Sequence, residues 1–531
     1  MFYLTQAGTD LQVLDADGVI QQTLTLPSGV TLDATKRGRF AILGQQIVLV
    51  NSPTQNLWID PTDFTVRAMG ILPPIGIPTV AAGSGTGLTG GYRVKVSFAI
   101  KNEDGTIINE SPLGPQSASV TLANNSLDIS NIPVSVNSAV NCRRIYRTVA
   151  DGSIFFAMFD LDDNETTAVS TAMTDAALEL LPADTELGNP PGTLPGTALS
   201  LIVAWRNRLW ARSANVEDGD QALFSDFDRF YAWSIENELL ANPVGEDKFG
   251  IVAYMPRRDE LVMLKRRRVM KITGFSEDDF EVITVAEGVG CIATESVVVV
   301  RDVGYWLGPD GVYSYGPDGV APISDNVKPW FQTDTYFDRT LFPDAVGSYN
   351  PFTDCYELQI GTQWVSYDIR RKEWLGIHAT SKFTPTVRAL LSLDSGELRP
   401  TVASADGYLY QQNQAGAADG GDTGIAISWK TKAFAGQNPK AEKFWGKPTV
   451  YLKRQSATAG DITVTPQVGD YGAVAGDTLA LTQQQDQVEL DRLGEGRIAQ
   501  LTFAHSLVGE DVDLHGFELP FSVVGQRPNP R

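Results

Sequence analysis

The chain has 531 residues, 43% of them hydrophobic and 20% charged, and carries a formal charge of −22. That length leaves room for roughly two to four domains, and the composition is ordinary for a globular protein. The charge argues against a conventional DNA- or RNA-gripping surface, which needs a basic footprint, and against electrostatic docking on anionic lipid.

Taken in order, the opening MFYLTQAGTDL lacks the basic and apolar regions of a secretory signal. No 18-residue apolar run occurs, so no membrane insertion is expected. Residues 1–78 read as short strands at Phe2–Thr5, Leu11–Leu14, Gln22–Leu26, Phe40–Leu43 and Gln46–Val50. Asn56–Gly70 looks like the close of a propeller blade. Asp15-Ala16-Asp17-Gly18 has the opening of a calcium loop but lacks the further oxygens at fixed offsets, so a tight turn is expected.

Pro73-Pro74, Pro78 and the glycine-rich Ala81–Gly91 read as a linker. Gly91–Ile100 then alternates strictly, placing Tyr92, Val94, Val96, Phe98 and Ile100 on one buried face of a strand. Further strands are expected at Ser117–Leu122, Ser126–Ile129, Arg143–Thr148 and Ile154–Asp160. A second proline-glycine stretch, Gly188–Gly196, closes the unit. Six or seven strands without a useful helical pattern suggest an immunoglobulin-like or fibronectin-type sandwich over 79–196, inserted in the propeller chain.

From 197 to 415 short strands keep restarting after aromatic-rich turns: LSLIVAWRNRLWARS, ALFSDFDRFYAWS, GIVAYMPRRDELVMLKRRRVMKITG, SVVVVRDVGYWLGPDGVYSYG and SYNPFTDCYELQIGTQWVSYDIRRKEWLG. Hairpin after hairpin with little helix is the signature of radial β architecture. The fold class is therefore all-β: a β-propeller with an inserted sandwich and a C-terminal β region. Asp325–Phe337 is the best helical candidate, with Asp325 as cap and Val327, Trp330 and Phe331 on one face. Beyond the low-complexity Gly416–Gly424, the region 416–531 carries more strands, either a small sandwich or closing blades.

The residues that could carry chemistry are few. Lys265-Arg266-Arg267-Arg268 is the densest basic run and could contact DNA or a neighbouring subunit; a solvated hairpin turn between Leu261–Leu264 and Val269–Thr273 is the plainer reading. Ser225–Ser234 superficially resembles the Asp-box turns of sialidase-like propellers, but as one imperfect copy it reads as a structural turn with Trp233 in the blade core. His378, His505 and His515 are too scattered for a metal site or a Ser-His-Asp arrangement, although the last two could sit on neighbouring strands. The doublets Asp162-Asp163 and Asp278-Asp279 point to opposite faces of a strand, so neither forms a glycosidase pair alone. Trp205, Trp210, Trp233, Trp306, Trp364 and Trp374 recur at blade-like positions, which favours packing over a carbohydrate platform. Cys142, Cys291 and Cys355 are far apart and never form a CxxC pair, which suits buried thiols. No catalytic residue, cofactor or metal ligand is assigned.

The run GYRVKVSFAIKNEDGTIINESPLGPQSASVTL, with NIPVSVNSAVNCRRIYRT and LPADTELGNPPGTLPG after it, resembles the inserted sandwich of short-tailed phage tail nozzle (tail tubular) proteins. VAWRNRLWARS, LFSDFDRFYAW, ELVMLKRRRVMKITG and YWLGPDGVYSY resemble the blades that follow in that family. The similarity runs from about residue 40 to the end. It implies a non-enzymatic virion protein made in the host cytoplasm: a homohexameric ring below the portal and head-tail adaptor. Tail fibres or spikes and tail tip proteins would attach to it, and genomic DNA would leave through its centre. Six copies would carry 6 × −22, about −132 charges, a field that repels phosphate and lets duplex DNA slide. The competing reading is a propeller that binds or cleaves glycans, with the sandwich as an accessory module. That reading needs carboxylates and aromatics clustered at one propeller mouth.

Overall fold

The computed structural model describes residues 2–15, 18–51, 55–183, 199–213, 219–234, 236–241, 250–379, 385–392, 396–405, 407–411, 427–436, 438–452, 461–469, 477–480, 487–505 and 514–524. The expected proline-glycine stretch Gly188–Gly196, the tract Gly416–Gly424 and part of the Asp15–Gly18 turn lie outside them. The chain is all-β and divides into two compact units, Met1–Asp325 and Asn326–Arg531.

Four sheets of the first unit share one plan. Arg39–Leu43, Gln46–Val50, Leu57–Ile59 and Val66–Ala68 form the first blade; Leu199–Trp205, Arg208–Ser213, Gln221–Phe224 and Glu238–Leu240 form the second. Ala253–Pro256, Leu261–Leu264, Arg268–Thr273 and Glu281–Glu287 form the third, and Val298–Val300, Val303–Gly308, Gly311–Gly316 and Gly319–Pro322 the fourth. Every blade is an antiparallel meander in chain order. In the second, third and fourth blades the second strand is the most buried and the fourth the most exposed, as Leu261–Leu264 and Glu281–Glu287 illustrate; in the first blade the third strand, Leu57–Ile59, is the most buried. This gradient is what a blade gives when neighbours cover both of its faces and its last strand forms the rim.

The period of two along each strand divides side chains between two cores. In the first blade Leu49, Leu57 and Ile59 face the N-terminal sheet of Tyr3–Ala7, Asp10–Leu14 and Ile20–Leu24, against Leu11, Val13 and Leu24. Val48, Val50 and Trp58 face the other way, against Ile202, Leu209 and Ala211 of the second blade. Trp205, Trp210 and Phe224 then meet Tyr254, Leu261 and Met263 of the third blade, and Met255, Val262 and Leu264 meet Trp306 and Tyr315 of the fourth. Polar ties reinforce the stack. Asn56 Oδ1 accepts from the Leu199 amide at 3.1 Å, and Arg39 donates to the Ser200 carbonyl at 2.6 Å and to Glu295 at 3.0 Å.

Between the first and second blades the chain builds the sandwich. One sheet orders Ile107–Glu110, Val94–Lys101, Cys142–Thr148 and Phe155–Leu161; opposite it lie Val120–Asn125 paired with Leu88–Tyr92, and Val169–Thr171, Leu127–Ser130 and Thr79–Ala82. Tyr92, Val94, Val96, Leu122, Leu127, Ile129, Ile145 and Met158 fill its core. Two expectations change here. The glycine-rich Ala81–Gly91 is not a linker, because its ends are strands of the sandwich. Its glycines answer close approach: a Cβ on Gly83 would overlap the Ser126 and Asp128 side chains, and one on Gly90 would lie 2.7 Å from Ala150 Cβ. The alternating run through Ile100 is also two strands in two sheets, broken at Arg93. Its apolar face serves two cores, since Phe98 and Ile100 pack with the blades.

In the second unit Val346–Asn350, Cys355–Ile360, Gln363–Asp368 and Glu373–Ala379 repeat the blade plan, and Pro385–Ser392, Leu398–Ser404 and Leu409–Gln411 form a three-stranded sheet. The expected helix is shorter than Asp325–Phe337. A 3-10 turn at Asp325–Val327 leads into Lys328–Gln332, whose N-cap is Val327 and not Asp325. Of its expected face only Phe331 is buried, against Phe337, Phe342 and Trp374. The C-terminal strands pair out of chain order, Ile427–Lys430 with Ala499–His505 and Asp461–Val468 beyond it. They enclose their own core around Trp445, Val450, Val464, Leu501 and Phe503. This region is therefore a packed β unit, not another meander blade.

Candidate functional site

The basic run occupies the turn between the second and third strands of the third blade, where the apolar Leu261–Leu264 ends. The structure divides it. Lys265 is fully buried, its Nζ 2.8 Å from Asp220 Oδ1 in the loop leading into the second blade's third strand. Its amide donates to the Arg268 carbonyl at 2.9 Å, and its carbonyl accepts from the Cys291 amide at 2.8 Å. Arg268 is half-buried, 3.4 Å from Glu287. Arg266 and Arg267 are exposed. The plainer reading of four charges in water thus holds for two of them, while Lys265 ties adjacent blades. Of the four, Arg266 and Arg267 are the ones whose side chains are open to solvent.

An open cleft of about 390 Å³ lies where the first blade's opening hairpin turn (Leu43–Gln46), the sandwich (Ile107, Ile108, Glu110, Arg144) and the second blade's loop (Phe227–Tyr231) meet. Its charged wall belongs to a network. Glu110 Oε1 accepts from Ser97 Oγ and from Tyr146 OH, each at 2.7 Å. Arg144 lies 3.4 Å from Glu110 Oε2 and donates to Asp160 at 2.7 and 3.2 Å. Lys101 Nζ bridges Asp160 at 2.8 Å and Asp162 at 2.6 Å. Burial, with the Glu110 carboxylate next, holds the Tyr146 phenol far above its ordinary value. Burial alone would raise Asp160, but hydrogen bonds from Arg144 and Lys101 outweigh it and keep that carboxyl below the usual carboxylate range. Signs alternate along the network and each acid has a cationic or hydroxyl partner, an arrangement that fixes strand positions.

The other singled-out residues are dispersed. Asp163 accepts from Arg143 and from the Glu165 and Thr166 amides, and Asp279 Oδ1 accepts from the Phe275 and Ser276 amides. Each doublet therefore shapes a turn. Trp205, Trp210, Trp233 and Trp306 are buried in blade cores, and Trp233 Nε1 donates to the Phe230 carbonyl at 2.8 Å inside the Ser225–Ser234 turn. His378 stacks on Trp364; His505 and His515 stand in different sheets and are not strand neighbours. Among the described residues no three His, Cys, Asp or Glu side chains form a group able to hold a metal ion. Cys142, Cys291 and Cys355 are buried free thiols.

Buried arginines escape sequence reasoning. Arg143 and Arg147 are fully buried on a sandwich strand; Arg147 donates to Asp175 and to the Met173 carbonyl, both at 2.8 Å. In the second unit buried Arg388 pairs with Glu357 and donates to Gln359 at 3.0 Å. The signal for the first pair was present: three arginines in the apolar strand NCRRIYRT cannot all reach water.

No model of a known protein family and no curated protein matches the chain. Among solved structures it is similar to a computationally designed protein, Ika8, at 7% identity over 77% of this chain and 92% of that one, with a TM-score of 0.33. It is also similar to the dihydro-heme d1 dehydrogenase NirN at 10% identity over 78% and 73%, with a TM-score of 0.34. An exo-β-1,3-galactanase from Phanerochaete chrysosporium matches at 8% identity over 98% and 100%, with a TM-score of 0.19.

Proposed function

We propose that this chain is a structural subunit of a short-tailed phage tail nozzle. Six copies close a ring below the portal and adaptor, fibres or spikes attach to it, and genomic DNA passes through. The observation that carries this reading is the way the sandwich interrupts the blades. The first blade ends at Ala68 and the second begins at Leu199, yet Val48, Val50 and Trp58 share one core with Ile202, Leu209 and Ala211. The sandwich is thus inserted within a continuous stack, which is the arrangement that the resemblance of Gly91–Gly196 and the following blade phrases implies. The acidic charge of −22 supports a conduit that does not hold DNA. The mechanism is geometric: stacked sheets with both faces buried form stiff walls, and like charge keeps phosphate off them.

Negative-stain microscopy of the purified protein and of phage particles tests the reading. Closed sixfold rings are expected; a strictly monomeric species in solution and on particles overturns it. Binding on a glycan array or release of reducing sugar would instead favour the glycan-active alternative.

A further inference from the structure

The open cleft where the first blade, the sandwich and the second blade meet holds donors that the fold leaves unused. Two come from the Ser225–Ser234 turn. Tyr231 lines the cleft, is only 8% exposed, and its phenol has no hydrogen-bond partner among the described residues. Arg229 lines it too, is exposed, and its guanidinium makes no hydrogen bond or salt bridge among the described residues. The two groups are close. Of the charges around the Tyr231 phenol, Arg229 acts on it most strongly, ahead of Glu110 and Arg144. Burial holds that phenol above its ordinary value, so it stays an O–H donor at neutral pH. The third donor is Arg144, whose Nε and Nη2 are engaged by Asp160 while Nη1 has only a 3.4 Å contact with Glu110. A buried hydroxyl without a partner is costly and uncommon, and this one marks a place for an acceptor.

The turn that carries Arg229 and Tyr231 is fixed from several sides. Phe230 packs into the blade core beside Trp58, and Tyr231 meets its ring edge-on at 5.4 Å. The Asp226 amide donates to the Ala232 carbonyl, the Asp228 amide to the Asn207 carbonyl and Asn237 Nδ2 to Asp226 Oδ1, each at 2.8 Å. Donors held in place before a ligand arrives lower the ordering cost of binding. Beside them lie Ile107, Ile108 and the 56%-exposed Phe227. The volume of about 390 Å³ is near the lower end of small-ligand sites, roughly 300–1,000 Å³. Unused donors select an anionic acceptor, and the apolar neighbours select what carries it. The acids in the cleft limit its charge. Glu110 is already held by Ser97, Tyr146 and Arg144, and Asp228 is exposed. A doubly charged phosphate is repelled by both, whereas a carboxylate brings a single charge and has two oxygens to accept.

We propose that this cleft binds a carboxylate carried on an aliphatic residue, received by Arg229 and Tyr231 with Arg144 beside them, the aliphatic part lying against Phe227, Ile107 and Ile108. The C-terminal residue of a peptide and a free N-acylated amino acid share this chemistry. The site is complete within one chain and does not depend on ring assembly.

Isothermal titration calorimetry on the full chain tests it, with N-acetyl-leucine, N-acetyl-leucinamide and a short peptide ending in leucine as probes. The acid should bind, and the amide, which keeps the shape and loses the charge, should bind at least tenfold more weakly, the worth of hydrogen bonds to a charged group. Arg229→Gln and Tyr231→Phe should each weaken the acid by about tenfold. The first replaces an exposed side chain and the second keeps its ring, so circular dichroism and melting of both variants should match the wild type. A peptide that binds tenfold more tightly than N-acetyl-leucine assigns the site to a chain end; equal affinity assigns it to free acids, and either result keeps the site. Equal binding of acid and amide overturns the proposal, as does inorganic phosphate that competes as well as the acid. Affinity unchanged in both variants, or no binding of either acid or peptide at millimolar concentration, overturns it too.

Discussion

Trp58 offers the sharpest test of the stacked-blade architecture. The indole is fully buried between the first and second blades, its ring 5.3 Å from that of Phe230, with the Arg67 guanidinium 5.0 Å from its centroid. Removing ~200 Å² of buried ring at ~25 cal/mol per Å² costs about 5 kcal/mol, the top of the range for Trp→Ala in cores. Trp58→Phe should cost far less. The indole Nε1 is buried with no hydrogen-bond partner among the described residues, and deleting an unsatisfied donor recovers ~1–3 kcal/mol of desolvation. A chain of several packed units does not unfold in one step, so a global unfolding energy is the wrong observable. Peptide-level hydrogen exchange is the right one. Trp58→Ala should speed exchange by several hundredfold or more, about 4–5 kcal/mol at 1.4 kcal/mol per decade, in residues 39–68 and equally in 199–213, though more than a hundred residues separate them. Loss of protection confined to 39–68 would refute the shared core.

Asp220→Asn should strip buried Lys265 of its half-buried carboxylate partner and destabilise the second and third blades by about 3 kcal/mol, read as faster exchange at 265–268; adding Lys265→Met should recover most of the loss. Burial pushes the Cys142 and Cys291 thiols up to about 12, so both stay protonated through pH 8. A thiol-reactive chromophore should not count them until denaturant is added. The depressed Asp160 carboxyl contributes stability that is complete above the ordinary carboxylate value of ~3.9 and lost as pH falls through its lower folded value. An acid titration followed by tryptophan fluorescence and exchange in 94–161 should therefore shift on Asp160→Asn, which removes that part of the acid sensitivity.

How much was legible depended on whether a residue's role is local. Strand positions were, because alternation and turn residues are local: Gln46–Val50 and Leu261–Leu264 stand where the pattern put them. The tight turns at Arg206-Asn207 and Arg301-Asp302 were harder. All four residues adopt positive φ without a glycine, so the usual hairpin signal is absent. Glycines at Gly83 and Gly90 read as flexibility but serve close packing against residues far along the chain. The fate of the basic run was hidden for the same reason. Lys265 and Arg266 are chemically alike and adjacent, yet one is buried beside Asp220, 45 positions earlier, and the other is exposed. The Glu110–Arg144–Asp160–Lys101 network likewise joins four strands, a juxtaposition that register creates and composition does not announce.

The central claim is most directly tested by a cryo-EM map of an intact short-tailed particle that contains this chain. The account predicts six copies in a ring beneath the adaptor, each showing meander blades interrupted by the sandwich of residues 79–183, with a channel wide enough for duplex DNA. Copies found elsewhere on the particle, or bound singly without a ring, would contradict it.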